Sequence, residues 1–201
     1  ILALSFYPME GYFREKVIVV PPLLRKEVLE LKPTNGDYVL GYMLNSGYKE
    51  EILSWHKKNP YTKLHLFWDK KDAEREYKVD KTMTLHTLND EKFLHYMAGC
   101  KGYITTAGFE SVCEAMYLNK PIMMIPVHIE QEINAADAAS VGAGIIGDKF
   151  NVSMLLDYID TKPISDKSFI KWASSAEEIF LEHLSVESFE TKRNIELSFE
   201  V

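Results

Sequence analysis

From Asp37 onward the chain alternates short apolar runs with longer stretches that are apolar on one helical face only. Asp37 to Leu44 predicts a strand, followed by a tight turn at Asn45-Ser46-Gly47. Lys49 to Lys58 predicts an amphipathic helix closed by Asn59-Pro60, and Lys63 to Trp68 a second strand. Asp69 to Asp80 is charged and reads as a solvated face, Lys70 to Lys81 above all. Thr82 to Thr87 predicts a strand and Asp90 to Cys100 a helix, with Asn89 as its cap. Gly102 to Thr106, Glu110 to Asn119 and Ile122 to Pro126 continue the alternation as strand, helix and strand. Glu130 to Val141 is a helix ended by Gly142, and Ala143 to Ile146 a last short strand. Two helices follow, Asn151 to Ile159 and Ser165 to about Glu187; the second carries Phe169, Trp172, Ala173, Ala176, Ile179 and Phe180 on one face. Strands that alternate with helices of this length imply crossover connections and a parallel sheet.

The fold class is therefore α/β, a Rossmann-like parallel sheet flanked by helices. Upstream, Val17 to Val20 is a short strand stopped by Pro21-Pro22, and Leu23 to Leu31 reads as connecting structure. Residues 1–36 are expected to form a leading segment and interdomain connection, and residues 37–201 the domain with its C-terminal helices. Ile1 to Pro8 reads like the end of a preceding element, so a fragment of a longer protein is the expectation.

Composition narrows the function classes. The 201 residues carry 23 Lys+Arg against 30 Asp+Glu, a net charge of −7, with no long basic run. That excludes a general nucleic-acid surface, which needs clustered cations. Cys100 and Cys113 lie in helical patterns without metal-ligand spacing, and read as buried thiols of a cytoplasmic protein. No apolar run approaches a membrane span and no signal peptide is visible.

The densest chemistry lies between Thr105 and Ala135. An apolar strand runs into a small-residue turn at Ala107-Gly108, and a helix opens behind it bearing Ser111 and Glu114. The next strand ends at a second polar cluster, Glu130-Gln131. Two strand-to-helix corners thus place hydroxyl, amide and carboxylate groups at one edge of the sheet, the edge where open α/β sheets bind ligands. The first corner also offers backbone N–H groups and a positive helix end to an anion, most naturally a diphosphate.

At Gly108 to Asn134 the sequence resembles the donor-binding, C-terminal half of GT-B glycosyltransferases, MurG-like and UDP-glycosyltransferase relatives in particular. Those families carry H-G-G-x-x-S-x-x-E, a Gly-x-Pro, an apolar strand ending in Pro, and D-Q-x-x-N-A. Gly108, Ser111, Glu114, Pro121, Pro126, Gln131, Asn134 and Ala135 match; Thr106, Ala107, Glu110 and Glu130 depart, standing for His, Gly, Asn and Asp. The likeness is specific over about Tyr103 to Gly144.

The resemblance implies a role for each matching position. Glu114 would accept hydrogen bonds from both ribose hydroxyls, where an isolated reading makes it an ordinary helix glutamate. Thr106, Gly108, Phe109 and Ser111 would hold the pyrophosphate, although Ser111 also reads as a helix cap. Glu130 and Gln131 would read sugar hydroxyls, with Asn134 one helical turn on, against the alternative of polar residues facing water. The Glu110 side chain is expected to turn away from the diphosphate. Weaker positional candidates are the turn Asn45, Ser46 and Gly47 near the phosphates, and Leu88 and Asn89 at the base. His128 is a candidate acid or base set against the commoner surface histidine.

Implied together are a nucleotide sugar, UDP-linked, as donor substrate, and inverting transfer to an acceptor hydroxyl. No cofactor and no metal are expected, since no D-x-D pattern is present. The general base is expected outside this chain, in an N-terminal acceptor-binding domain or partner chain, through which peripheral membrane association would arise. The alternative is a non-catalytic nucleotide-sugar-binding subunit acting only with a partner. A sugar-nucleotide epimerase of the same fold would need a different glycine and acidic-arginine arrangement at the second corner.

Overall fold

The computed structural model describes residues 1–9, 16–43, 48–69, 75–161 and 167–184. The turn predicted at Asn45-Ser46-Gly47 lies outside them, as do both ends of the last predicted helix. The chain divides into two compact units, one of Ile1–Leu23 with Lys167–Val201 and one of Leu24–Asp166.

In the first unit, β1 (Leu2–Leu4) and β2 (Ile18–Val20) pair in parallel with Leu2 opposite Ile18. Helix α7 (Ser168–Ser174) is interrupted at Ser175 before helical structure resumes over 176–184, so the single long helix expected there is two. The face predicted to be apolar does turn inward, with Phe169, Ala173 and Ala176 buried. Trp172 donates its indole N–H to the Ser5 carbonyl at 2.9 Å.

The second unit opens with α1 (Lys26–Glu30), a short helix within the segment expected only to connect. Its Val28 is fully buried. Then follow β3 (Tyr38–Met43), α2 (Lys49–Lys58), β4 (Lys63–Trp68), β5 (Glu76–Lys78), β6 (Met83–Thr87) and α3 (Asp90–Gly99). The remainder is β7 (Gly102–Thr105), α4 (Phe109–Tyr117), β8 (Ile122–Met124), α5 (Ile129–Ser140), β9 (Gly144–Ile146) and α6 (Val152–Thr161). Seven described strands form one sheet in the order β5-β6-β4-β3-β7-β8-β9, all parallel except β5, which runs antiparallel to β6. Strand β5 was not expected: Glu76, Tyr77 and Lys78 are all exposed, as a solvated face would be, but their main chain extends the sheet.

Alternation along the strands sorts the side chains into two layers. Val39, Leu64, Leu66, Met83, Leu85, Ile104 and Met123 face one way and pack with Ile52 of α2 and Val152 and Leu155 of α6. On the opposite face His65, Phe67 and His86 meet Phe93 and Tyr96 of α3 in a layer of ring contacts. The chain adds β4 and β6 on one side of β3, then crosses back to lay β7 against its other side. That reversal between β3 and β7 is the point where such sheets open a crevice beyond their carboxyl ends. The β7-to-α4 corner stands there.

Candidate functional site

At the end of β7, Thr105 and Thr106 are buried and the chain turns sharply through Ala107, whose φ of 65° lies in the left-handed region. An L-residue pays about 1–2 kcal/mol for that conformation, which explains why glycine suits this position in the similar motif. Gly108 is the N-cap of α4 with an ordinary extended φ of −63°. Its carbonyl accepts the Val112 N–H at 3.1 Å and the Ser111 hydroxyl at 3.2 Å. Ser111 thus sits in the first turn and bonds back to the cap, without being the cap itself. Glu110 is exposed. Helix first turns leave N–H groups without helical acceptors, and those of Glu110 and Ser111 stand at this corner.

Two residues of α5 brace the turn. Asn134 donates Nδ2–H to the Ala107 carbonyl at 3.2 Å. Gln131, 4% exposed, accepts the Val127 N–H on Oε1 at 3.0 Å and directs Nε2 to the Thr106 hydroxyl at 3.4 Å. The structure therefore brings Thr106, Gly108, Ser111, Gln131 and Asn134 into one assembly, in which the Gln131 amide has protein partners at both ends. Glu130 and His128 are exposed at the start of α5; His128 is the N-cap residue but makes no side-chain cap bond.

One turn into α4, Glu114 is nearly enclosed, its side chain 4% exposed. Arg25, immediately before α1, meets it as a fork: Nε to Oε1 at 2.6 Å and Nη2 to Oε2 at 2.9 Å. Burial pushes the Glu114 carboxyl above its usual range, and the Arg25 hydrogen bonds pull against that shift. The guanidinium pKa is raised, chiefly by the same hydrogen bond. Arg25 escaped the sequence reading because nothing local marks it; its partner lies 89 residues away. It and Asp90 line a hollow of about 660 Å³ between α1 and α3.

Beneath the corner, the Tyr103 and Thr105 hydroxyls are buried without hydrogen-bond partners. Asn89 caps α3 as expected, accepting the Lys92 N–H at 2.9 Å, and the Leu88 N–H is taken by the Trp68 carbonyl at 3.1 Å. Both residues border a hollow of about 430 Å³ that also takes in Arg75 and Lys92. Among the described residues no group of three or more His, Cys, Asp or Glu is arranged to hold a metal, and no helix is long and apolar enough to cross a membrane.

Fold and corner together define an α/β domain with its polar groups gathered at the topological switch point. The family Glycosyl transferase family 1 matches residues 1–163, and the chain belongs to that family. No curated protein matches it. Among solved structures it is similar to the glycotransferase of kitacinnamycin, with a TM-score of 0.54 and 15% identity over 82% of this chain and 45% of that one. SnogD from Streptomyces nogalater gives 0.51 and 12% over 81% and 44%. The spinosyn forosaminyltransferase SpnP gives 0.50 and 15% over 90% and 51%. The fold is that of the C-terminal domain of GT-B glycosyltransferases, and the chain spans about half the length of these relatives.

Proposed function

We propose that this chain is the donor half of a glycosyltransferase that takes a UDP-linked sugar and transfers it, with inversion and without a metal, to an acceptor hydroxyl. Family membership and the fold support sugar transfer. The observation that carries the donor reading is the α4 corner, where a side-chain methyl at Gly108 would meet nothing nearer than Ser111 Oγ at 3.8 Å. The fold itself leaves that space in front of a helix N-terminus open, and a diphosphate is the chemical class suited to it.

In this reading the N–H groups of Glu110 and Ser111 and the hydroxyls of Ser111 and Thr106 face the diphosphate. An acceptor oxygen attacks the anomeric carbon as the bond to the diphosphate breaks. The negative charge arriving on the leaving group is met by fixed dipoles, which need no reorganisation at the moment of reaction. The acceptor proton passes to a base supplied by an acceptor-binding half, in the same polypeptide or a partner chain. Glu114 receives the ribose hydroxyls and Glu130 faces the sugar. Two buried free thiols, Cys100 and Cys113, fit a reducing, cytoplasmic setting.

Calorimetric titration with UDP, UDP-sugars and GDP, beside a Glu114→Ala variant, tests the proposal. Saturable, UDP-selective binding that the variant loses is the expected result. Equal binding of UDP by the folded Glu114→Ala protein, or none by the wild type, sinks the donor assignment.

A further inference from the structure

A carboxylate that receives two ribose hydroxyls must be ionised and fixed in direction. Burial of Glu114 works against the first requirement, and its free side-chain torsions work against the second. We propose that Arg25 is a positioning residue for donor binding: its guanidinium locks Glu114 so that the remaining lone pairs of the carboxylate meet the ribose 2′- and 3′-hydroxyls. The inference rests on the donor reading of Glu114 given above.

The geometry carries it. An ionised carboxylate offers about four acceptor positions on two oxygens, and the Arg25 fork takes one on each. Among the described residues no other hydrogen bond reaches either oxygen, so one position on each remains, the number a vicinal diol needs. Arg25 is itself anchored. Its carbonyl accepts the N–H groups of Val28 at 3.0 Å and Leu29 at 3.4 Å, and Val28 is fully buried. The guanidinium is thus carried on a turn that is plugged into the core.

Charge supports the same role. The carboxylates facing this pair are Glu110 on α4 and Asp90 on α3, the latter 4.0 Å from Arg25 Nη1, and both disfavour a further negative charge at Glu114. Close by, the Cys113 thiol and the Tyr103 hydroxyl are pushed up, chiefly by burial, and stay neutral. Arg25 is the cation bonded to this carboxylate. A lysine would supply the charge but not two parallel N–H groups.

The test compares binding of UDP with that of 2′-deoxy-UDP by calorimetry, at about pH 6 and about pH 8, in wild type, Glu114→Gln, Arg25→Met and Arg25→Lys. Wild type should favour UDP by roughly tenfold, the size of a hydrogen bond to a charged group. Glu114→Gln and Arg25→Met should both erase that preference, and both should also weaken binding of the deoxy ligand, which keeps its 3′-hydroxyl, by up to about tenfold. Arg25→Lys should restore part of it, more at the higher pH than at the lower. If Arg25→Met keeps the preference that Glu114→Gln loses, Arg25 does not position Glu114 and the donor reading stands. If the wild type shows no preference, or Glu114→Gln retains it, the ribose role of Glu114 fails and the role of Arg25 with it. Should Arg25→Met not fold, the lysine variant decides: an undiminished preference at both pH values overturns the proposal.

Discussion

Asn134 hydrogen-bonds through Nδ2 to the main-chain carbonyl of Ala107 at 3.2 Å, tying α5 to the one left-handed residue at the β7-to-α4 corner. A strained peptide persists only when its surroundings over-determine it. Asn134→Ala removes one hydrogen bond and should cost about 1 kcal/mol in urea unfolding. Because the turn also aims the first N–H groups of α4, UDP affinity should fall in parallel. Unaltered affinity in a protein destabilised by that amount would show that the brace serves the fold alone.

Gly108→Ala separates fold from ligand. The added methyl finds ordinary van der Waals space in the free protein, and φ is −63°. Thermal stability should therefore fall by no more than about 1 kcal/mol, the cost of alanine in place of glycine at an N-cap. A diphosphate seated against the helix N-terminus needs that same space, so UDP affinity should fall by about tenfold or more, the effect of losing charge-assisted hydrogen bonds. Retained affinity would move the phosphate away from this corner.

The histidine pair under α3 makes an acid-sensitive core. His65 Nδ1 and His86 Nε2 lie 2.9 Å apart, a distance that accommodates one shared proton. Burial, then Lys92 and His65, push His86 down to about 4; burial also lowers His65. Both folded-state values lie below the ordinary 6.5, so the unfolded chain binds more protons between about pH 6.5 and about pH 4. Stability should consequently fall as pH drops through that window, by up to about 1.4 kcal/mol per unit from His86, with His65 acting in the same direction. Asp80, held at about 2 by main-chain N–H of Thr82 and by His56 among others, loses its contribution only below about 4, so the windows do not overlap. Denaturant unfolding of wild type and His86→Leu at about pH 7, 6 and 5 should show a shallower slope in the variant.

Lys120 is a buried cation with a structural task. At 3% exposure it donates to the carbonyls of Thr34 at 2.6 Å and Cys100 at 2.9 Å, joining the segments that lead into β3 and β7. Lys120→Met keeps the stem but leaves both carbonyls unpaired, at a cost of about 2–4 kcal/mol by equilibrium unfolding. A loss below about 0.5 kcal/mol would mean that water replaces the ammonium group.

The alternation of β3 to α6 was readable because its boundaries carry strong local signals: Asn59-Pro60 after α2, the Asn89 cap of α3, and Gly142, with φ of 76°, after α5. What escaped has no such signal. Helix α1 is only five residues long, too short for a periodic face. Strand β5 hides in a charged stretch because an edge strand with both faces in water needs no apolar alternation. The interruption at Ser175 leaves the apolar period of the flanking turns intact, so it is silent in the pattern. At the site, the residues of the α4 corner were picked out by motif, whereas their mutual bonds were not. That Gln131 reaches Thr106, and Arg25 reaches Glu114, depends on which elements the sheet order places side by side.

Strand β5 has one more consequence. Parallel sheets end in rows of main-chain donors and acceptors that another chain can continue, the route by which folded domains aggregate edge to edge. Here one border is a three-residue strand of reversed direction, fully in water, with Glu76 and Lys78 on either side of Tyr77. Glu76 is further engaged by Lys92 at 2.7 Å. The opposite border, β9, is also three residues long. Neither offers a long, flat, apolar template, so the sheet resists recruiting copies of itself along its borders.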